Sequence, residues 1–468
     1  MNTINLYEGE LTLNKNFVLR KSNREYSLYN IVTDFKYTIT PYLFYVLKIF
    51  QHNCTNLTQI KHYFESEKIT DNINSVNTLI KSKLEFENLI IESDNPSKKK
   101  DIYKIIEQRN DQIFEFTPEG IDFLITNKCN LKCPHCYRNS TSKDKLEKIN
   151  LDRLYKLFDE MEYLNVHSFK ITGGEAFLCP ELFDLVSYAS TKRIHTSILT
   201  NATIPFSQKW LSLLAKENIS LGISLDGATP QTHDIIRGNG SFVKTMHNLD
   251  KLLENRVNYS LTFTINSINK TEIEDFLTLV KNRLKNKFVF FNFIERIGRA
   301  RHENDILSID QKEKREIRKR LVTFKKMYST EFKIGVVDNN ALENTEEELQ
   351  KITEKGNFVL CKAGLSLLAI DAQLNVYPCI YGIGGVEEYP VANLNDDSLI
   401  NIWNHSSKLD VFRGNLKTEN LPACYSCNFQ NKCNLKYCRL RPLYEGGKFI
   451  DPVSFCMKNI LNYNSLNS

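Results

Sequence analysis

The chain has no apolar stretch at its amino terminus of the kind that heads a secretory signal, and no uninterrupted apolar run near the ~20 residues needed to cross a bilayer. Export and membrane insertion are therefore not expected, and a cytoplasmic location is. Charge of one sign is equally scarce. The 61 basic and 56 acidic side chains leave a net +5, too mild a surplus to point to nucleic acid. One segment departs from that balance: Gln311 to Tyr328 carries Lys312, Lys314, Arg315, Arg318, Lys319, Arg320, Lys325 and Lys326. That run suits either a solvated helix face or an acidic peptide partner. A hydrophobic content of 41% over 468 residues supplies packed cores for about three domains.

Cysteine, by contrast, is plentiful, with twelve residues. Three stand together in Cys129-Asn-Leu-Lys-Cys133-Pro-His135-Cys136, and thiolates at C-x3-C-x2-C spacing can hold three irons of a 4Fe–4S cube. The fourth iron is then left without a protein ligand, and an open metal position marks a catalytic rather than a structural site. On this triplet alone, zinc or disulfide chemistry stays open. Seven more cysteines follow residue 360: Cys361, Cys379, Cys424, Cys427, Cys433, Cys438 and Cys456. Such density in a chain without an export signal favours metal over disulfides, with a zinc ribbon over Cys424 to Cys438 as the competing reading. Cys54 and Cys179 remain and read as buried small hydrophobes.

Short β-rich runs at Ile121 to Thr126, Phe169 to Thr172, Thr196 to Thr200, Ile219 to Ser224, Tyr259 to Ile265 and Phe288 to Ile294 alternate with helix-period stretches. Those stretches are Leu151 to Tyr163, Pro180 to Ala189, Ser207 to Glu217, Ser241 to Glu254 and Glu272 to Leu284. The alternation implies parallel strands joined by crossover helices, an α/β barrel pattern. The cysteine loop, Thr172-Gly173-Gly174-Glu175, Thr200-Asn201 and Ser224-Leu-Asp226 all follow strands, so they fall on the carboxyl-end face where such folds place ligands. Paired glycines let the backbone approach a ligand closely, and the Glu175 carboxylate can accept from a ligand's ammonium group. A Gly-Gly-Glu by itself is also an ordinary tight turn.

The cysteine triplet, Ile171-Thr-Gly173-Gly174-Glu175 some forty residues later, and Gly222-Ile-Ser224-Leu-Asp226 with Ile236-Arg237-Gly238 together resemble the motifs of radical S-adenosylmethionine (SAM) enzymes. The resemblance implies a partial (β/α)6 barrel over residues 117–330. It also implies SAM bound to the fourth iron of the cluster held by Cys129, Cys133 and Cys136. His135, Gly173, Gly174, Glu175, Ser224, Arg237 and Ile297 would contact SAM, Ser224 and Arg237 at its ribose or carboxylate and Ile297 near the adenine. Arg237 has the alternative role of a helix anchor. Glu295, before the Gly298-Arg299 turn, either faces substrate or makes a surface ion pair, and Ala176 stands where the family often has proline. The downstream spacing Cys424-x2-Cys427-x5-Cys433-x4-Cys438 resembles the SPASM domain of peptide-modifying radical SAM enzymes, here residues 331–468. By that resemblance Cys424, Cys427, Cys433 and Cys456 hold one auxiliary 4Fe–4S cluster, and Cys361, Cys379 and Cys438 a second with an open iron. Two departures are Leu374 in place of a family glycine and a last gap of four residues where three is usual.

Residues 1–95 read differently. Three short strands, Phe17 to Lys21, Tyr26 to Asn30 and Phe35 to Ile39, precede helical pattern at Pro41 to Phe50, Leu57 to Phe64 and Ile73 to Leu89, and a linker occupies 96–116. This arrangement resembles the RiPP recognition element, a winged-helix-like α+β module that holds a precursor leader by β-augmentation. A DNA-binding winged helix and a structural cap are the alternatives. Recognition module, barrel and SPASM domain in this order look like a maturase of ribosomally made peptides, similar in particular to sactipeptide synthases. That likeness implies thioether crosslinks made in a precursor peptide through a 5′-deoxyadenosyl radical, with flavodoxin or ferredoxin as electron donor. Carbon–carbon crosslinking, epimerisation and sulfatase-type maturation use the same core.

Three 4Fe–4S clusters on ten cysteines require about twelve irons per chain after anaerobic reconstitution. Replacing Cys129, Cys133 and Cys136 together by alanine should remove about a third of that iron, and all SAM cleavage, as read by iron assay and chromatography of 5′-deoxyadenosine.

Overall fold

We describe the protein from a computed structural model over residues 11–13, 17–21, 26–32, 35–39, 47, 90–92, 117–284, 288–295, 298–301, 307–337, 363–383, 389–410, 412 and 440. Apart from Leu47, the helical pattern expected at 41–89 lies outside the described residues, as do the linker 96–116, Ile297, Cys54, Cys361, Cys424, Cys427, Cys433, Cys438 and Cys456. The chain forms two compact units, one of residues 1–117 with 162–167 and 193–195, the other of the remainder.

The first unit contains strands β1 (Leu11–Leu13), β2 (Phe17–Lys21), β3 (Tyr26–Asn30), β4 (Phe35–Ile39) and β5 (Ile90–Glu92). β2, β3 and β4 form an antiparallel meander with the boundaries expected from sequence, and β1 pairs antiparallel with β5. Val18, Tyr29 and Ile31 pack together. The Asn30 side chain accepts from the Val32 amide at 2.9 Å, a local bond that asparagine makes readily where a strand ends.

The second unit is built on one long sheet. Its six central strands are β6 (Gly120–Thr126), β7 (Ser168–Gly173), β8 (His195–Thr200), β9 (Ile219–Ser224), β10 (Tyr259–Ile265) and β11 (Phe288–Phe293). The helices between them are α1 (Leu151–Tyr163), α2 (Leu182–Ala189), α3 (Gln208–Leu214), α4 (Pro230–Arg237), α5 (Ser241–Glu254) and α6 (Ile273–Leu279), the last running on as a π turn over Val280–Leu284. Strand alternation is plain in β10, where Tyr259, Leu261, Phe263 and Ile265 are buried and the residues between them only partly so. The buried faces meet the helices through aromatic stacks. Phe158 of α1 lies 4.7 Å from Phe169, itself 5.8 Å from Phe123, and Phe263 lies 4.7 Å from Phe276 and 5.6 Å from Phe291.

Helix α4 escapes the sequence reading because buried His233 and Arg237 replace the apolar residues that would mark its face. Its ends are nevertheless conventional. The Thr229 side chain caps the Thr232 amide, Pro230 sits in the first turn, and Gly238 ends it at φ +114°.

The sheet also reaches beyond six strands. After α7 (Gln311–Met327), β12 (Lys333–Val337) adds to β11 in parallel, past residue 330 where the sequence reading ended the barrel. On the opposite edge β13 (Leu367–Asp371) adds to β6 in parallel, followed by antiparallel β14 (Asn375–Tyr377) and β15 (Ala392–Asn393). Both additions are too short to declare themselves, and Lys333 and Gly335 interrupt the β pattern of the first. In α7, Ile317, Leu321 and Phe324 are buried while Lys312, Arg315, Lys319, Arg320, Lys325 and Lys326 are exposed, so most of its charge lies on a solvated face. Among the described residues no helix is long and apolar enough to cross a membrane.

The turn joining β13 to β14 explains one departure from the family pattern. Leu374, standing for the usual glycine, adopts φ +67°, a left-handed conformation that costs a residue with a Cβ about 1–2 kcal/mol. Asp371 holds the turn in place. Its carboxylate accepts from the Gln373 and Asn375 amides, from Asn375 Nδ2 and from the Tyr377 hydroxyl at 2.8–2.9 Å. The leucine side chain is itself buried, which offsets part of the strain.

Phe169 touches aromatic rings on both sides and has no exposure. Phe169→Ala should therefore cost about 3–5 kcal/mol of stability, seen as a lower urea midpoint with an unchanged slope.

Candidate functional site

The carboxyl ends of β6 to β9 converge on the cysteine loop, residues 127–141. Its base is closed by the Cys129 amide donating to Thr141 O at 3.0 Å. Glu147 accepts from Thr126 Oγ1 at 2.6 Å. Its far end is held by Arg299, whose guanidinium donates to Cys133 O at 2.5 Å and Ser140 O at 2.6 Å while its amide donates to Cys136 O at 2.9 Å. Gly298, at φ +60°, makes this possible. A Cβ there would stand 2.2 Å from Tyr137 O, so no other residue fits.

Gly173 and Gly174 do allow a close backbone approach, and the backbone concerned is the chain's own. A Cβ on Gly174 would lie 2.3 Å from Lys128 O, because the Gly174 amide donates to Thr126 O and the Glu175 amide to Lys128 O at 2.8 and 2.9 Å. Glu175 is fully buried. Its carboxylate accepts from Thr200 Oγ1 at 2.7 Å, the Asn201 amide at 2.8 Å and the Phe177 amide at 3.2 Å. These bonds join the ends of β7 and β8 through one carboxylate. Asn201 Nδ2 donates to Asn130 Oδ1 at 2.9 Å and Asn130 Nδ2 to Thr203 Oγ1 at 2.8 Å, carrying the tie into the cysteine loop.

A second buried acid organises the other side. Asp226 accepts from Arg237 Nε at 2.6 Å and from the Thr264 amide at 2.7 Å, and His135 Nε2 lies 3.3 Å from the same carboxylate. Burial alone would push this carboxyl up, but the Arg237 charge and the Thr264 bond hold it below the ordinary carboxylate range. Arg237 thus serves as a helix anchor, with its positive field directed at Cys133 and Cys136. Burial and the two arginines Arg237 and Arg299 pull the His135 pKa down to about 4, against Asp226. The imidazole is therefore neutral at pH 7, and its buried Nδ1 has no hydrogen-bond partner. Ser224 ends β9 half-buried, and Glu295 is likewise half-buried.

The donor set fits an iron–sulfur cluster. Cys129, Cys133 and Cys136 form no disulfide, and Cys129 and Cys133 are buried. Burial pushes the Cys129 thiol up to about 12, with Glu175 and the other two cysteines adding to the rise, and burial also raises Cys133 against the pull of Arg237 and Arg299. Clustered thiols of which two are buried become thiolates, which repel one another, only beside a cationic core. Among the described residues no three His, Cys, Asp or Glu side chains converge as ligands of a single ion. Cys379 is the described member of the downstream set and is half-buried, whereas Cys179 is buried as expected of a small hydrophobe.

The residues that sequence reasoning missed as site elements are Asn130, Thr203, Glu147 and Arg299. Each acts by a hydrogen bond across 20 or more residues of sequence. The position of Asn130 inside the cysteine motif was the one available signal.

His233 supplies a test of this buried network. Its Nδ1 accepts from the Asp226 amide, its Nε2 has no partner, and burial, aided by Arg237, holds its pKa down at about 4. Because the unfolded value is about 6.5, the unfolded chain binds the extra proton as pH falls. Stability should therefore be full above about pH 6.5 and decline toward pH 4. His233→Asn should flatten that decline in denaturation measured at pH 7 and 5.

Residues 123–280 match the radical SAM superfamily and residues 361–428 the iron–sulfur cluster-binding SPASM domain. The chain is 32% identical over 187 residues to the antilisterial bacteriocin subtilosin biosynthesis protein AlbA of Bacillus subtilis, an overlap of 39% of this chain and 41% of AlbA. It is 25% identical over 323 residues to the mycofactocin maturase MftC of Mycobacterium tuberculosis, covering 68% of this chain and 77% of MftC. SuiB of Streptococcus suis, solved bound to S-adenosylmethionine, has the same fold with a TM-score of 0.70 at 16% identity, over 95% of this chain and 100% of that one. SuiB has also been solved bound to precursor peptide SuiA. The chain thus carries a radical SAM domain, whose mostly parallel sheet presents the three-cysteine loop, followed by a SPASM domain.

Proposed function

We propose that the protein is a peptide maturase that closes thioether bonds between cysteine sulfur and a peptide carbon in a ribosomally made precursor. The observation that carries this reading is the 32% identity with the bacteriocin biosynthesis protein AlbA, in a chain with the three-cysteine loop at the ligand end of its sheet. SAM bound at a cluster on Cys129, Cys133 and Cys136 supplies a 5′-deoxyadenosyl radical able to take hydrogen from a peptide carbon. The protein's share is to hold, orient and shield. Asn130 and Arg299 fix the loop, Asp226 holds Arg237, whose positive field falls on Cys133 and Cys136, and neutral His135 leaves its Nδ1 without a protein partner. Ser224 and Ile297 are assigned to SAM contacts as well.

Closing one thioether removes two hydrogens. With both groups bound, one hydrogen would go to the deoxyadenosyl carbon and the thiol would give up the other as a proton, leaving one electron that an auxiliary centre, which Cys361, Cys379 and Cys438 would hold, could accept. Cys424, Cys427, Cys433 and Cys456 are assigned to the remaining cluster. The leader is assigned to residues 1–95, where the β2–β3–β4 meander can add a strand, and flavodoxin or ferredoxin to electron supply. The longer match to the mycofactocin maturase MftC supports the coarser reading, a maturase, and does not by itself specify thioether chemistry.

Mass spectrometry of precursor treated with reconstituted enzyme, SAM and reductant separates the readings. Thioether formation should lower the mass by about two daltons per bond and hide one cysteine from alkylation for each, since the sulfur is consumed. A mass loss with every thiol still alkylated would establish carbon–carbon crosslinking, and an unchanged mass would favour epimerisation.

A further inference from the structure

Three consecutive residues lead from the barrel's cysteine loop into the downstream domain. Cys136 is the last thiol of the motif. The ring of Tyr137 packs, together with Cys379, Tyr381 and Tyr389, against the buried cluster of Ala363, Phe412 and Leu440. Its hydroxyl stands 3.5 Å from Thr172 Oγ1, one residue before the end of β7. Arg138 then donates from Nη1 to Ile383 O at 2.5 Å. Ile383 closes the single turn that begins at Cys379, where the Gly382 amide donates to Cys379 O at 2.9 Å and the Ile383 amide to Ile380 O at 3.2 Å.

Tyr137 has little freedom to move. Its backbone lies under Gly298 and between Cys136 O, held by the Arg299 amide, and Arg138, held by Ile383. Ile383 is anchored in turn against Leu124 of β6, Ala369 of β13 and Tyr377 of β14. One residue therefore connects three parts of the molecule: its backbone follows directly on Cys136, its hydroxyl meets the strand that leads into Gly173-Gly174, and its ring shares with Cys379 the buried cluster of Ala363, Phe412 and Leu440. A tyrosine ring has only two rotatable bonds, so a contact of this kind is stiff.

We infer that Tyr137 is a positioning residue that, with Arg138, sets the barrel's cluster loop against the auxiliary segment at Cys379 and couples the two clusters through packed protein instead of water. The inference rests on the two domain assignments and does not depend on which bond the enzyme makes. Packing is the operative contact, so the ring matters and the hydroxyl is secondary.

The test uses full-length, anaerobically reconstituted protein with iron counted, comparing Tyr137→Phe, Tyr137→Ala and Arg138→Gln with the unaltered chain. Pulsed electron paramagnetic resonance reads how far reduction of the auxiliary cluster speeds spin relaxation of the barrel cluster. Tyr137→Phe should match the unaltered protein. Tyr137→Ala and Arg138→Gln should keep their iron and lose severalfold of that enhancement, because truncation opens a void at the junction. Unchanged enhancement in an iron-replete Tyr137→Ala protein overturns the inference. If that variant loses iron, Arg138→Gln decides by the same reading, and iron loss in both reassigns the pair to cluster assembly and also overturns it. Failure of the unaltered protein to cleave SAM would strike the functional reading, which these spectra do not measure.

Discussion

The ligand end of the sheet depends on one carboxylate that water cannot reach. Glu175 sits where β7 turns away, and an unpaired charge buried there would be prohibitively costly. Thr200 and Asn201 from the end of β8 and the Phe177 amide from its own turn satisfy it, and Asn201 passes the constraint to Asn130 between Cys129 and Cys133. Two strand ends and the cysteine loop are thereby held by one acid. Asp226 repeats the device for β9, β10 and α4. Breaking the Asp226–Arg237 pair would leave a buried charge uncompensated, a defect of about 3–5 kcal/mol, whereas burial already raises the Glu175 carboxyl and its hydrogen bonds work against that rise.

Arginine answers the opposite problem. Buried thiols resist ionisation, yet only thiolates bind iron. Arg237 and Arg299 approach the loop from α4 and from the turn after β11, each already engaged by an acceptor, Asp226 in one case and loop carbonyls in the other. Their charge lowers the cost of the thiolates without a direct bond to sulfur. His135, kept neutral in their midst, adds no charge of its own.

Much of this was legible in the sequence, and the remainder was not for identifiable reasons. Strands such as Ile219–Ser224 and Tyr259–Ile265, and helices such as Leu151–Tyr163 and Ser241–Glu254, lie where periodicity puts them because one face of each is apolar. Helix α4 was missed where His233 and Arg237 turn a polar face inward, and β12 and β13 where five-residue strands join a sheet already formed. Cysteine spacing revealed the cluster loop, since ligand geometry is local. The protein partners of Gly174 and Glu175 are not local, so spacing alone did not show the backbone and strand ends that they meet. Leu374 was legible as a departure, and its positive φ shows that the turn's conformational demand persists without the glycine.

The pairing of β13 with β6 bears on how such enzymes exchange parts. Register runs from Leu367 against Gly120 to Asp371 against Leu124, so β13 lies beside the strand that leads into the cysteine loop. A recombination point placed ahead of residue 363 would strip β6 of its neighbour and expose an open row of amides and carbonyls next to the cofactor end. A crossover after β15 would transfer the barrel with its edge intact. Shuffling among relatives, natural or engineered, should on this account favour breaks beyond residue 393, with β13 to β15 inherited as part of the barrel and not of the cysteine-rich segment that follows.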